Sequence, residues 1–172
     1  MNSKSDDSFS HKIMREALAE AEKAFQAGEV PVGAILVREG RVIAGAHNTR
    51  ECDKDPLNHA EIKVLKAGAR ELGDWRLGDC ELYVTLEPCP MCLGALFQAR
   101  VGKLIFGCFD EKRSLSRVSS ERNAFPSLEE RLRGQAAPVL ISSNNHNLLI
   151  EGGVCEEAAA ELLRRFFRGC RK

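Results

Sequence analysis

Two short segments about thirty residues apart restrict this chain more than any other feature: His59-Ala60-Glu61 and Glu87-Pro88-Cys89-Pro90-Met91-Cys92. Cys89 and Cys92 stand three positions apart, so a helix that starts there carries both thiols on its first turn. Pro90 suits such a start, because the N–H it lacks is one that a helix start leaves unpaired anyway. The positive end of that helix favours thiolates, lowers their pKa and readies them for a metal ion. His59 supplies a nitrogen donor. Glu61, two residues on, does not share the helix face of His59, which places it beside an ion rather than on it. Three protein ligands leave a fourth tetrahedral position for water, the arrangement of a catalytic zinc. A carboxylate near that water is a candidate general acid and base.

A Cys-x-x-Cys pair on its own also describes a redox couple, half of a structural zinc site, or two core cysteines. A structural site needs a fourth ligand. Cys52, Cys80, Cys108, His47 and His146 are candidates, none with a short-spaced partner. A redox couple leaves His59-Ala60-Glu61 without a task. Seven cysteines, an odd number, and no signal-peptide core from Met1 to Ser10 point to a reducing, cytoplasmic setting and away from a disulfide framework. The 172 residues, 44% apolar and 29% charged, are expected to form one domain over 1–172. No apolar run is long enough for a membrane span. Twenty-five basic and 25 acidic residues cancel, which speaks mildly against a nucleic-acid partner, although the distribution of charge matters more than its sum.

Along the chain, Ser10 is the expected cap of a first helix with Met14, Leu18, Ala21 and Phe25 on one face, ended by Gly28. Pro31 to Val37 reads as a buried strand, Glu39-Gly40 as its turn and Arg41 to Ala46 as the antiparallel return. A polar connection follows to Leu57. Asn58 then caps a helix with Ile62, Leu65, Ala69 and Leu72 inward, closed by Gly73. Glu81 to Thr85 and Lys103 to Phe106 are strands on either side of the helix opened by the cysteine pair. After Asp110 the pattern weakens into a long excursion at about 111–138, with a short helix near 127–133. Val139 to Ser142 and Asn147 to Glu151 each read as a strand of undetermined pairing. A basic C-terminal helix at about 155–168 turns Ala159, Leu162, Leu163 and Phe166 inward and Arg164, Arg168 and Arg171 to another face. The expected architecture is α/β, three-layer α/β/α, a mixed central sheet of about five strands with helices on both faces.

His-x-Glu at a helix start, followed by a strand running into Pro-Cys-x-x-Cys, is the signature of the zinc deaminases. The chain resembles the bacterial tRNA-specific adenosine deaminases of the cytidine deaminase superfamily. The likeness runs through Glu29-Val30-Pro31-Val32-Gly33-Ala34, Asn48, His59-Ala60-Glu61, Tyr83 to Cys92, Phe106-Gly107, Asp110 and Phe166-Phe167-Arg168. This resemblance implies one Zn2+ per subunit on His59, Cys89 and Cys92, with Glu61 shuttling protons. It implies that Asn48 hydrogen-bonds the target base and that Asp110 touches the flipped nucleotide or its neighbour, with Val30, Pro31, Leu86, Glu87, Phe167 and Arg168 as further substrate contacts. It also implies a homodimer that converts adenosine to inosine at the first anticodon position of an arginine tRNA. The excursion after Asp110 departs from the family's short loop. Cys89 to Ala95 is equally similar to small-purine deaminases such as guanine deaminase, and a non-catalytic zinc-containing RNA-binding module is a third reading. Phe166-Phe167-Arg168 and the basic stripe favour RNA, since a free base offers arginines no phosphate.

Overall fold

In the computed structural model, the described residues are 8–110, 139–143 and 146–170. The excursion at 111–138, its expected short helix and Arg171 lie outside them. The helices are α1 (Phe9–Gln26), α2 (Arg50–Asp53), α3 (Ala60–Leu72), α4 (Pro90–Gln98) and α5 (Glu156–Gly169). The strands are β1 (Gly33–Arg38), β2 (Arg41–His47), β3 (Cys80–Leu86), β4 (Lys103–Cys108), β5 (Val139–Ser143) and β6 (His146–Gly152).

Hairpin β1–β2 turns at Glu39-Gly40 as expected. Both residues take positive φ, 50° and 74°, which a two-residue turn of the favoured hairpin type requires. The strands lie in the order β2-β1-β3-β4-β6-β5. β3, β4 and β6 run parallel, while β1 pairs antiparallel with β2 and β3. Both strands after Asp110 therefore join the sheet, which has six strands rather than about five. Leu148 and Ile150, on alternate positions of β6, are fully buried and give β4 an apolar neighbour. β5 then covers the open edge of β6.

Side chains alternate across the sheet. Leu36, Leu82, Leu104 and Phe106 pack on one face with Val64 and Leu65 of α3 and Leu96 and Phe97 of α4. Ile35, Val37, Tyr83 and Ile105 pack on the other with Ile13, Met14 and Ala17 of α1. α5 joins this second side, with Ala159 set over Gly107 and Phe166 edge-on to Phe25 of α1. The layering is the expected α/β/α.

The details of three helices differ from expectation. α1 is capped by Ser8, whose hydroxyl accepts from the His11 N–H, while the Ser10 hydroxyl lies near the Tyr83 hydroxyl. Its buried face is Ile13, Met14, Ala17, Ala21 and Ala24, with Leu18 and Phe25 on the flank. The reason is a close approach to β1: a Cβ on Gly33 would sit 2.1 Å from the Ala17 carbonyl oxygen and 2.4 Å from the Ala21 nitrogen, so the helix face over Gly33 carries alanines. α3 likewise buries Ala60, Glu61, Val64, Leu65 and Gly68 instead of the stripe through Ile62 and Ala69. Its N-cap is His59, because the Asn58 amide donates to Asp53 at 2.8 Å. α2 falls within the stretch expected to be a polar connection.

Gly33→Ala should therefore destabilise the fold by about 1–3 kcal/mol through overpacking. The check is the urea midpoint, which should fall with an unchanged slope. An unmoved midpoint would show that α1 can ride off the sheet freely.

Candidate active site

Functional groups collect where β1 begins and β2, β3 and β4 end. Gly33 pairs with His47, Ala34 with Val84, and Leu86 with Cys108. This is the crevice outside the carboxyl ends of parallel strands, where α/β sheets bind ligands. Two helices also start here. His59 is the N-cap of α3, and Cys89 is the N-cap of α4 with Pro90 as the first helical residue.

His59 Nδ1 lies 3.7 Å from Cys89 Sγ and 3.5 Å from Cys92 Sγ. The three donor atoms fall within 4.8 Å of one another, and among the described residues no other group of three or more His, Cys, Asp or Glu side chains is gathered this way. Ligands held about 2.0–2.3 Å from a common tetrahedral ion are spaced similarly, so the donor set fits a borderline-soft divalent metal. None of Cys52, Cys80, Cys108, His47 and His146 belongs to the group. His47 instead meets Glu20 at 2.8 Å and His146 meets the Val101 carbonyl at 2.6 Å.

The thiols are polarised against each other. A hydrogen bond from the Cys92 thiol, aided by the backbone at Cys92 and Met91 and by His59, lowers Cys89 to about 5. The same hydrogen bond and burial push Cys92 up. Glu61, 4% exposed, is pushed up to about 7, chiefly by burial, with the Cys89 charge adding to it. A carboxyl group that is half protonated near neutrality and adjoins a nucleophile site is equipped both to take and to give a proton.

The far wall is built from Glu29, Val30 and Asn48. Thr49 N–H donates to the Asn58 carbonyl at 3.1 Å, which draws Asn48 and His59 to the same end of their connection. The Asn48 side chain is 6% exposed. Its Nδ2 donates to Glu29 Oε2 and to the Val30 carbonyl, each at 3.2 Å. Its Oδ1 is the one buried side-chain nitrogen or oxygen among the described residues without a partner. Pro31 is buried beside this wall, and Leu86 is half-buried where β3 ends. Glu87, 3% exposed, accepts from the Asp110 N–H at 3.1 Å, which ties the two residues together.

The α5 residues make contacts of another kind. Phe167 packs edge-on against Phe166. Arg168 donates to Glu161, and Arg164 donates to Glu157 and Glu161. Of the expected basic stripe, the two described arginines, Arg164 and Arg168, are thus matched by glutamates on earlier turns of the same helix. A residue that sequence reasoning left without a role is Glu29, 1% exposed. Its signal was a carboxylate set directly against the apolar run that opens β1.

The MafB19-like deaminase family model matches residues 9–169. A tRNA-specific adenosine deaminase of Bacillus subtilis is 44% identical over 159 residues, which span 92% of this chain and 89% of that protein. The chain belongs to the deaminase family that includes the tRNA-specific adenosine deaminases. A solved structure from work on A-to-I editing by tRNA:A34 deaminases at the wobble position is 32% identical, with a TM-score of 0.67, covering 88% of this chain and 98% of that one. A guanine deaminase structure from Bacillus subtilis is 29% identical, with a TM-score of 0.55 and 80% of each chain covered.

The polarised thiols can be checked by alkylation after chelator treatment. Cys89, at about 5, should react with iodoacetamide well below the pH at which the urea-unfolded chain does, since a free thiol titrates at about 8.5. A Cys89 profile that matched the unfolded chain would refute the arrangement.

Proposed function

We propose that this chain is a zinc-dependent hydrolase that deaminates adenosine to inosine at the first anticodon position of tRNA. The observation that carries the chemistry is the convergence of His59, Cys89 and Cys92 at two helix starts with buried Glu61 beside them. The observation that favours RNA over a free purine is the 44% identity to a tRNA-specific enzyme over 92% of this chain, supported among solved structures by 32% identity and a TM-score of 0.67 to a tRNA:A34 deaminase against 29% and 0.55 to a guanine deaminase.

His59, Cys89 and Cys92 would hold zinc, for which one imidazole and two thiolates are a fitting set. Bound there, zinc supplies a Lewis acid that makes water a competent nucleophile near neutral pH. Glu61 takes a proton from the attacking water and delivers it to N1 of adenine as C6 is attacked. The same carboxyl then takes the remaining proton of the added hydroxyl and gives it to the amine; the C6–N bond breaks as the C6 carbonyl forms, so adenosine and water become inosine and ammonia. Asn48 Oδ1, buried and without a hydrogen-bond partner, accepts from a donor on the base. Glu87 holds the chain at Asp110 against the flipped nucleotide. The base must leave its stack to reach this depth, so a looped-out anticodon base suits the site.

An arginine tRNA is the proposed partner, met in the cytoplasm. No helix among the described residues is long and apolar enough to cross a membrane. α4 carries Met91, Leu93 and Ala95 only half-buried, and Leu57, two residues before His59, is 51% exposed. An apolar surface of this kind supports a homodimer. Phe167 and Arg168 are proposed to meet the anticodon loop by stacking and phosphate contact.

Glu61→Ala should keep zinc and the fold while abolishing deamination, as judged by metal content, melting temperature and inosine formed. Loss of zinc together with activity would make Glu61 a structural group. The protein should form inosine in an anticodon stem-loop carrying adenosine at its first position and release no ammonia from guanine. The reverse result would establish the small-purine reading. Phe167→Ala with Arg168→Gln should raise KM for the stem-loop several-fold at moderate salt and flatten its salt dependence by somewhat under one log unit per log unit. An unchanged KM and slope would confine α5 to a structural role, consistent with its internal ion pairs.

A further inference from the structure

An asparagine amide can present either its oxygen or its NH2 to a ligand, and here a side chain outside the catalytic group acts with one backbone carbonyl to decide which. Nδ2 of Asn48 has two hydrogens, and both are taken, one by Glu29 Oε2 and one by the Val30 carbonyl. These partners are both acceptors, so the amide cannot turn over without setting Oδ1 against two oxygens. Glu29 is in turn held in place. Its other oxygen, Oε1, accepts from the Cys52 N–H at 2.7 Å, and the side chain is 1% exposed. The Val30 carbonyl is fixed too, since it accepts from the Val32 N–H at 2.8 Å. The outcome is an Oδ1 that is buried and unpartnered.

We infer that Glu29 is a positioning residue that locks the Asn48 amide with its oxygen toward the substrate, so that the site selects a base offering an N–H donor there. This rests on the reading of Asn48 as a base contact. A buried carboxylate is an expensive way to hold one side chain. The two acceptors it offers, to Cys52 and to Asn48, are what no neutral side chain of its shape can supply. Glutamine at this position has one acceptor and one donor. If its oxygen keeps the Cys52 N–H, its NH2 faces the Asn48 NH2, and the two donors conflict. Asn48 relieves the conflict by turning over, which presents a donor to the substrate and leaves the Val30 carbonyl without its side-chain partner.

The test is a double-mutant cycle with Glu29→Gln and Asn48→Ser on the zinc-loaded full chain, measured as kcat/KM on the anticodon stem-loop. Glu29→Gln alone should lower kcat/KM about 10- to 100-fold, the loss of one buried hydrogen bond plus a mismatched donor. In the Asn48→Ser background the same change should matter less than about two-fold, because the residue it acts through is gone. Additive losses in the cycle would overturn the inference, as would an unaffected Glu29→Gln single variant. If Glu29→Gln proves unfolded by its melting curve, Glu29→Asp, which keeps two acceptors on a shorter arm, takes its place in the same cycle. The wild-type control separates this result from the proposed function. Should the wild type deaminate guanine and not RNA, the RNA reading fails, and the cycle run on guanine still decides the role of Glu29.

Discussion

The His59 nitrogen and the two sulfurs come within 3.5 and 3.7 Å because two helices start at the same end of one sheet. β3 runs into α4 at Cys89, and the connection out of β2 delivers His59 to the start of α3. Each helix start contributes a positive dipole end and unpaired N–H groups. Anionic sulfur is tolerable there and would be costly elsewhere in a buried region. Three features hold those two starts in register: the parallel pairing of β3 with β4, the hydrogen bond from Thr49 to Asn58, and the packing of α3 and α4 on one apolar face.

Three carboxylates are buried at this end, and their partners assign them different work. Glu29 and Glu87 accept hydrogen bonds from named donors and hold neighbouring groups still. Glu61 is buried beside the Cys89 charge, and although its own backbone N–H and the Cys92 thiol donate to it, burial raises its pKa to about 7. The contrast matters for mechanism. A carboxyl group whose pKa burial has raised to about 7 can exchange a proton at neutral pH. Burying such groups opposes stability, and proteins tolerate it where a site requires it.

α5 carries its opposite charges close together. Arg164 and Arg168 are bound to Glu157 and Glu161 along the helix, while Arg165 lies over the Phe25 ring, 5.0 Å from its centroid. The helix thus presents alternating signs rather than a continuous positive surface, and it is anchored to α1 through Phe166 and Phe25. Exposed ion pairs of this kind exchange partners readily.

The spacing of His59, Glu61, Cys89 and Cys92, the start of α4 at Cys89-Pro90 and the hairpin turn at Glu39-Gly40 were all legible in the sequence. Within each of the two segments, and at the hairpin turn, the residues lie within one turn of one another, where backbone geometry leaves few choices. The glutamates facing Arg164 and Arg168 were equally local, three to seven positions earlier, and a count of the cations alone passed over them. Other features were decided by tertiary structure. The inward faces of α1 and α3 turned because the helices approach the sheet closely at Gly33 and Gly68, a distance no periodicity encodes. β6 found its place because β4 needed a buried neighbour. The orientation of Asn48 depends on Glu29, nineteen positions away, and on a backbone carbonyl. Composition and pattern say which residues carry donors and acceptors, but which of them meet in a buried wall is settled only when the chain closes on itself.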